Sequence, residues 1–179
     1  MDKRSEIADA LLNIGAEFGF DNISVKALCE KCNISRNTFY YYFDNVPDVI
    51  EWFIQDKMMK LVEDAKTNEG PKEGITNFAK GMVEGFPELH TLLDSKYYRQ
   101  VENILFSIGS MCTEKLFDLK CKDIPISNND KKFFVSFIAA GCNNYVIEKA
   151  YETLPIEDFA ENLSEIIESR VNELKEKNK

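Results

Sequence analysis

The sequence predicts an all-α protein, a small N-terminal helix-turn-helix domain followed by a helical bundle, and three observations predict it. Apolar residues recur at three- and four-residue spacing from Ile7 to Leu174. No stretch sustains the apolar/polar alternation of a half-buried strand. Between residues 24 and 43, cap and turn residues for two short helices follow one another in close order.

The first helix rests on the stripe Ile7, Leu11, Ile14, Gly15 and Phe18. Gly19 stops it, and Phe20 and Ile23 fill the corner beyond. Lys3 and Arg4 at its start read equally as solvated charges or as contacts to a flanking phosphate. The second helix has Ser24 as N-cap and Val25, Leu28, Cys29 and Cys32 as its apolar face. Asn33 then supplies the left-handed residue a sharp turn needs, Ile34 plugs the turn, and Ser35 caps a third helix. This is the layout of a helix-turn-helix.

The third helix is the display. Phe39 and Phe43 lie four apart and face inward, while Arg36, Asn37, Thr38, Tyr40 and Tyr41 project. A plain surface helix would favour Glu, Lys and Ala for propensity. A guanidinium, an amide, a hydroxyl and phenols suit a helix laid in a DNA groove: Arg forks onto guanine, Asn onto adenine, and hydroxyls hold phosphate oxygens. A tyrosine-rich core helix would also account for three consecutive tyrosines, and the capped turn before them tips the balance to display.

Ile7 to Phe43, with Gly19-Phe20-Asp21-Asn22-Ile23-Ser24-Val25 at its entry and Ile34-Ser35-Arg36-Asn37-Thr38-Phe39-Tyr40-Tyr41-Tyr42-Phe43 at its close, resembles the DNA-binding domain of the tetracycline-repressor (TetR) family. The resemblance implies a dimeric bacterial transcriptional regulator, a repressor in the first instance. Its N-terminal domain (1–46) would bind palindromic operator DNA, and its C-terminal domain (47–179) would dimerise and release the DNA on sensing a small molecule. It further implies that Lys26 contacts a base or phosphate, that Ser35, Thr38 and Tyr40 hold phosphates, and that Arg36, Asn37 and Tyr41 reach base edges or nearby backbone. One position departs from the family pattern. Where a lysine commonly opens the fourth helix against the DNA backbone, this chain has Val46.

The fourth helix is expected from Pro47 to about Thr67, with Val49, Trp52, Phe53, Met59 and Leu61 apolar and Asn68-Glu69-Gly70-Pro71 as its end. Linking the head to the body, it is the expected lever. Helices are then expected at Ile75–Phe86, in a short piece to Asp94, and from Ser95 or Lys96 to about Leu119, with a loop at Cys121–Asn129. Two last helices, about Asp130–Glu152 and Pro155–Lys177, carry Phe133, Phe134, Phe137, Ile138, Gly141 and Tyr145, and Ile156, Phe159, Leu163, Ile166 and Leu174. The latter spacing approaches a heptad seam, and two such helices from each of two chains would build a four-helix dimer interface, as the resemblance also implies. The same stripes would equally cover their own domain, with Gly141 at a close helix crossing.

Phe78, Phe86, Tyr97, Tyr98, Phe106, Phe117, Phe133, Phe134, Phe137, Tyr145 and Tyr151 make the body strongly aromatic, and several of them are expected to line an apolar ligand cavity. Phe86, His90, Phe106 and Tyr145 are the candidate ligand-binding residues. His90, the only histidine, reads more readily as a surface or satisfied interior residue.

Composition bounds the functions. At 179 residues, 44% hydrophobic and 30% charged, the chain has the makeup of a globular protein with a real core and has no apolar run of transmembrane length, so a cytoplasmic location is expected. Five cysteines, an odd number, fit no secreted disulfide framework; Cys29-x-x-Cys32 lacks a second pair to complete a zinc site. No metal, no cofactor and no enzymatic activity are expected, since one histidine and no phosphate-cradling glycine loop leave little catalytic equipment. Net charge is −9, and residues 1–47 carry five basic against seven acidic side chains, unfavourable for long-range attraction to DNA. Placement offsets this, because Lys26, Lys31 and Arg36 sit on the second and third helices while Glu6, Asp9 and Glu17 sit on the first. An alternative function is a ligand-free helix-turn-helix protein that binds a protein partner through its aromatic C-terminal surface.

Overall fold

The computed structural model describes residues 2–67, 77–78, 80–81, 88–120, 126–151 and 156–176. Their regular structure is helical, with no strand among the described residues. The helices are α1 (Lys3–Phe18), α2 (Val25–Lys31), α3 (Arg36–Tyr42), α4 (Val46–Thr67), α5 (Leu89–Leu93), α6 (Tyr98–Lys120), α7 (Asn128–Tyr151) and α8 (Ile156–Glu176), with a 3-10 turn at Phe20–Asn22. Most of the helix expected over Ile75–Phe86 lies outside the described residues, as does Cys121–Pro125 of the expected loop; Asn128 and Asn129, expected in that loop, are already helical.

By packing, the chain divides into two compact units, Met1–Asp56 with Pro87–Leu105, and Lys57–Phe86 with Phe106–Lys179. The first unit is built around α1. Ile7 and Leu11 are wholly buried and Ile14 nearly so; Phe18, expected in the same stripe, is 60% exposed. Gly19 takes φ 80°, a left-handed conformation that ends the helix, and its N–H donates to the Gly15 carbonyl. The chain then doubles back so tightly that a Cβ on Gly15 would fall 2.4 Å from the Phe20 ring.

Segment 87–105 completes this unit. Leu89, Leu92, Leu93, Tyr97 and Val101 are buried. The Lys96 N–H donates to Asp21 Oδ1 at 2.6 Å, Lys96 Nζ donates to the Asp21 carbonyl at 2.6 Å, and the Tyr97 hydroxyl donates to the Ile23 carbonyl at 3.4 Å. A carboxylate and two carbonyls at the α1–α2 corner thus receive donors from residues about 75 positions later.

In the second unit, α7 has two apolar faces. Val135, Ile138, Ala139, Cys142 and Val146 are buried. Phe133 and Phe137 are 75% and 64% exposed, and their rings stack at 6.4 Å. Gly141, one further turn along, meets no atom within 4 Å of a Cβ built on it, so the close helix crossing expected there is not made among the described residues. On α8, Leu163, Ser164 and Ile167 are buried and Ile166 is half exposed. Ser127 caps α7, accepting from the Asp130 N–H at 3.1 Å.

Candidate nucleic-acid interface and internal cavity

The helix-turn-helix is held by side-chain caps at each entry. Ser24 Oγ accepts from the Ala27 N–H at 3.2 Å, and Ser35 Oγ accepts from the Thr38 N–H at 3.0 Å. Between them Asn33 adopts φ 51°, the only non-glycine residue among those described with a positive φ. The Ile34 N–H donates to the Cys29 carbonyl at 2.9 Å, closing the turn, with Ile34 half-buried over it. At the far end Asn45 and Asp48 cap α4 reciprocally: Asn45 Oδ1 accepts from the Asp48 N–H and Asp48 Oδ2 from the Asp44 N–H, both at 3.0 Å. Val46, in the place of the expected lysine, is buried.

Those caps orient α3. Phe39 is fully buried and Phe43 nearly so; Phe43 is already extended and closes the helix rather than belonging to it. Arg36 and Asn37 are exposed, Tyr40 is 52% and Tyr41 80% exposed, and Thr38 and Tyr42 are half-buried. Ser35 and Thr38 join hydroxyls at 2.9 Å, so each already has one partner within the helix. Lys26 is exposed and pairs with Glu30 at 3.7 Å. Lys26, Glu30, Asn33, Ser35 and Arg36 line one open groove beside α3. At the start of α1, Lys3 pairs with Glu6, and Arg4 lies over the Phe43 ring at 5.9 Å. All seven side chains expected at DNA are therefore on α2, the turn or α3, six of them exposed and Thr38 half-buried.

Cys29 is buried, and Cys32 is half-buried with its thiol donating to the Glu6 carbonyl at 3.6 Å. Burial, with Glu6 nearby, pushes the Cys32 thiol above its ordinary pKa. No group of three or more metal-ligating side chains occurs among the described residues.

The second unit contains a cavity of about 40 Å³. Its wall is Phe78, Thr113, Leu116, Phe117, Phe134, Val135, Ile138, Cys142, Leu163 and Ile167. Phe78, Phe117 and Phe134 are among the aromatics expected to line such a space, and Phe117 meets Phe134 edge to face at 5.8 Å. Of the four named ligand candidates, Phe86 lies outside the described residues. His90 is exposed, 3.3 Å from Asp94, and belongs to the first unit. Phe106 is 53% exposed, and Tyr145 stacks on Phe159 at 3.6 Å. None of these three is in the wall. The aliphatic half of the wall is not legible as a cavity lining, because Leu116, Val135, Ile138 and Ile167 carry no mark in sequence that separates such a lining from a packed core.

Residues 7–46 match the family described as bacterial regulatory proteins, tetR family. The HTH-type transcriptional regulator UidR of Escherichia coli (strain K12) is 38% identical over 87 residues, 48% of this chain and 42% of UidR; UidR of Shigella flexneri matches to the same extent. The chain thus matches less than half the length of these relatives. Among solved structures, the dihydroxyacetone kinase operon activator DhaS superposes with a TM-score of 0.67 at 19% identity, covering 96% of this chain and 97% of DhaS. Thermus thermophilus FadR, a repressor in complex with lauroyl-CoA, gives 0.65 at 15% identity over 90% and 91%. Dietzia AlkX gives 0.64 at 14% over 96% and 97%. At these identities the likeness is one of fold.

Proposed function

We infer that this chain, which belongs to the tetR family through its N-terminal helix-turn-helix, is a transcriptional repressor that binds palindromic operator DNA as a homodimer and is released by a small molecule held in its second unit. The observation that carries the reading is α3: seven residues, capped at Ser35 and anchored by buried Phe39, that turn Arg36, Asn37, Tyr40 and Tyr41 outward. Arg36 and Asn37 reach base edges, while Lys26, Ser35, Thr38, Tyr40 and Tyr41 position the helix through phosphates and nearby backbone. With Val46 buried at the start of α4, the phosphate contacts are fewer, and the salt dependence correspondingly shallow.

Dimerisation through α7 and α8 is supported by the exposed row Phe133, Phe137 and Gly141 on α7, with Ile166 exposed on α8. Two stacked phenyl rings in water followed by a glycine with open space above it fit a second helix laid close. A palindromic operator is the counterpart of that two-fold symmetry. Effector binding is supported by the cavity, and α4 and α6 each contribute residues to both units, so displacement of either is a route from cavity to recognition helix. A protein partner on the aromatic surface is the second reading; the same exposed Phe133 and Phe137 favour it.

The test is selection of bound duplexes from a random DNA pool at low salt, with sedimentation of the free protein alongside. A recovered palindrome and a dimer that Phe137→Asp dissociates are the expected results. A monomer with no enriched sequence would remove the repressor reading and leave the protein-partner one.

A further inference from the structure

We propose that the cavity of the second unit takes an uncharged, largely apolar molecule bearing one hydrogen-bond-accepting oxygen, and that the Asn143 side-chain amide is its polar anchor. This deepens the effector reading above and rests on it.

The first argument is the wall. It is hydrocarbon and aromatic ring on nearly every side, and among the described residues it holds no charged side chain. Its two heteroatom groups are already quiet. Thr113 donates its hydroxyl to the Gly109 carbonyl at 2.8 Å. Cys142 is a neutral thiol, its pKa pushed up to about 12 by burial. A carboxylate or phosphate placed here would be buried without a counter-charge, the costliest arrangement a site can offer.

The second argument is the Asn143 Nδ2, which finds no hydrogen-bond partner among the described residues. Asn143 is 5% exposed. Buried side-chain donors are normally paired, so an orphan amide calls for a reason. Its position supplies one. Asn143 follows Cys142 of the wall on α7, and it lies against Gly109 on α6, one helical turn before Thr113 of the wall. A Cβ at Gly109 would stand 2.4 Å from Asn143 Oδ1, so the glycine makes the room the amide occupies. Glycine in the interior of a helix is unfavourable, and here it leaves room for a polar group that stands just outside the cavity's lining, one residue beyond Cys142 of the wall. A ketone, ester or ether oxygen entering with its apolar body among Phe117, Phe134 and Leu163 would give Nδ2 the acceptor it lacks.

At about 40 Å³ the space is well short of the roughly 150 Å³ at which an apolar cavity takes benzene. A ligand therefore parts the wall as it enters, which makes binding and helix displacement one event.

Calorimetric titration of the full chain at pH 7 with ethylbenzene, acetophenone and benzoate, three probes of similar size, tests this. Acetophenone should bind about three- to tenfold more tightly than ethylbenzene, the worth of one neutral hydrogen bond. Benzoate should bind at least about a hundredfold more weakly than either, for want of a counter-charge. Asn143→Leu should erase the acetophenone advantage while ethylbenzene still binds; Asn143→Ala repeats the comparison if the larger side chain disturbs folding. Benzoate binding best, equal affinity for acetophenone and ethylbenzene, an order unchanged in both Asn143 variants, or no heat from any probe would each overturn the proposal. The DNA selection is read separately. A palindrome without ligand binding keeps the repressor and removes this ligand class, and ligand binding without an enriched duplex does the reverse.

Discussion

In the first unit Ile7, Leu11, Phe20, Leu28, Phe39, Val49, Ile50, Ile54, Leu92 and Val101 are almost wholly out of solvent. In the second, Met58, Val62, Cys112, Ala139 and Ser164 are buried to the same degree among the described residues, fewer and mostly smaller side chains, and the unit also keeps a cavity inside and stacked phenyl rings outside. The two differ because the tasks proposed for them differ. A reader of base edges has to hold several donors in register, which tight packing and capped helix ends do. A sensor has to yield to its ligand, and an interior with space in it yields most readily.

The largest effect that sharpens this contrast is on stability. Phe39→Ala, on the buried face of α3 in the tight unit, should cost about 5 kcal/mol, whereas Phe117→Ala in the cavity wall should fall to about 3 kcal/mol, because part of that ring already faces empty space. Urea unfolding of both variants checks it; equal losses would mean the two interiors are equally packed.

Next in size is sequence choice. Arg36→Ala and Asn37→Ala should each lose about 1–3 kcal/mol of discrimination between the selected operator and single-base variants, with circular dichroism unchanged. Unchanged discrimination in folded variants would take these residues away from the bases.

The turn comes third. Asn33→Ala should destabilise by about 1 kcal/mol because alanine is strained at φ 51°, while Asn33→Gly should be close to neutral. Thermal unfolding of the pair separates backbone strain from any role of the side chain.

The smallest effect is electrostatic. Lys26→Ala should weaken binding to all duplexes alike and reduce the salt slope by about one. Glu30→Gln, which frees Lys26 from its exposed ion pair, should strengthen binding by less than about fivefold. Titrations at several salt concentrations measure both.

The head was legible because local chemistry writes it. Ser24, Asn33, Ser35 and Pro47 each act on backbone within four residues, so the sequence order of caps and turns is the structure's order. The ends of α5, α6, α7 and α8 were also close to reach, within a turn of the expected bounds. What stayed hidden depends on residues far apart. Asp21 bears no sign that its carboxylate receives Lys96, and His90, singled out for its rarity, sits in water beside Asp94. Asn143 alone carried a signal that could have been used, an amide among Ile138, Ala139, Cys142 and Val146.

The ties from Lys96 and Tyr97 to the α1–α2 corner bear on the order of events during synthesis. The first unit leaves off at Asp56 and resumes at Pro87, so its interior lacks Leu89, Leu92, Leu93 and Val101 until the ribosome has moved on through Leu105. At about 5–20 residues per second, the helix-turn-helix emerges several seconds before the segment that seals it. Over that interval the Ile23 carbonyl and the Asp21 carboxylate lack the donors that Tyr97 and Lys96 bring, and a head cut off after α4 would remain in that unfinished state.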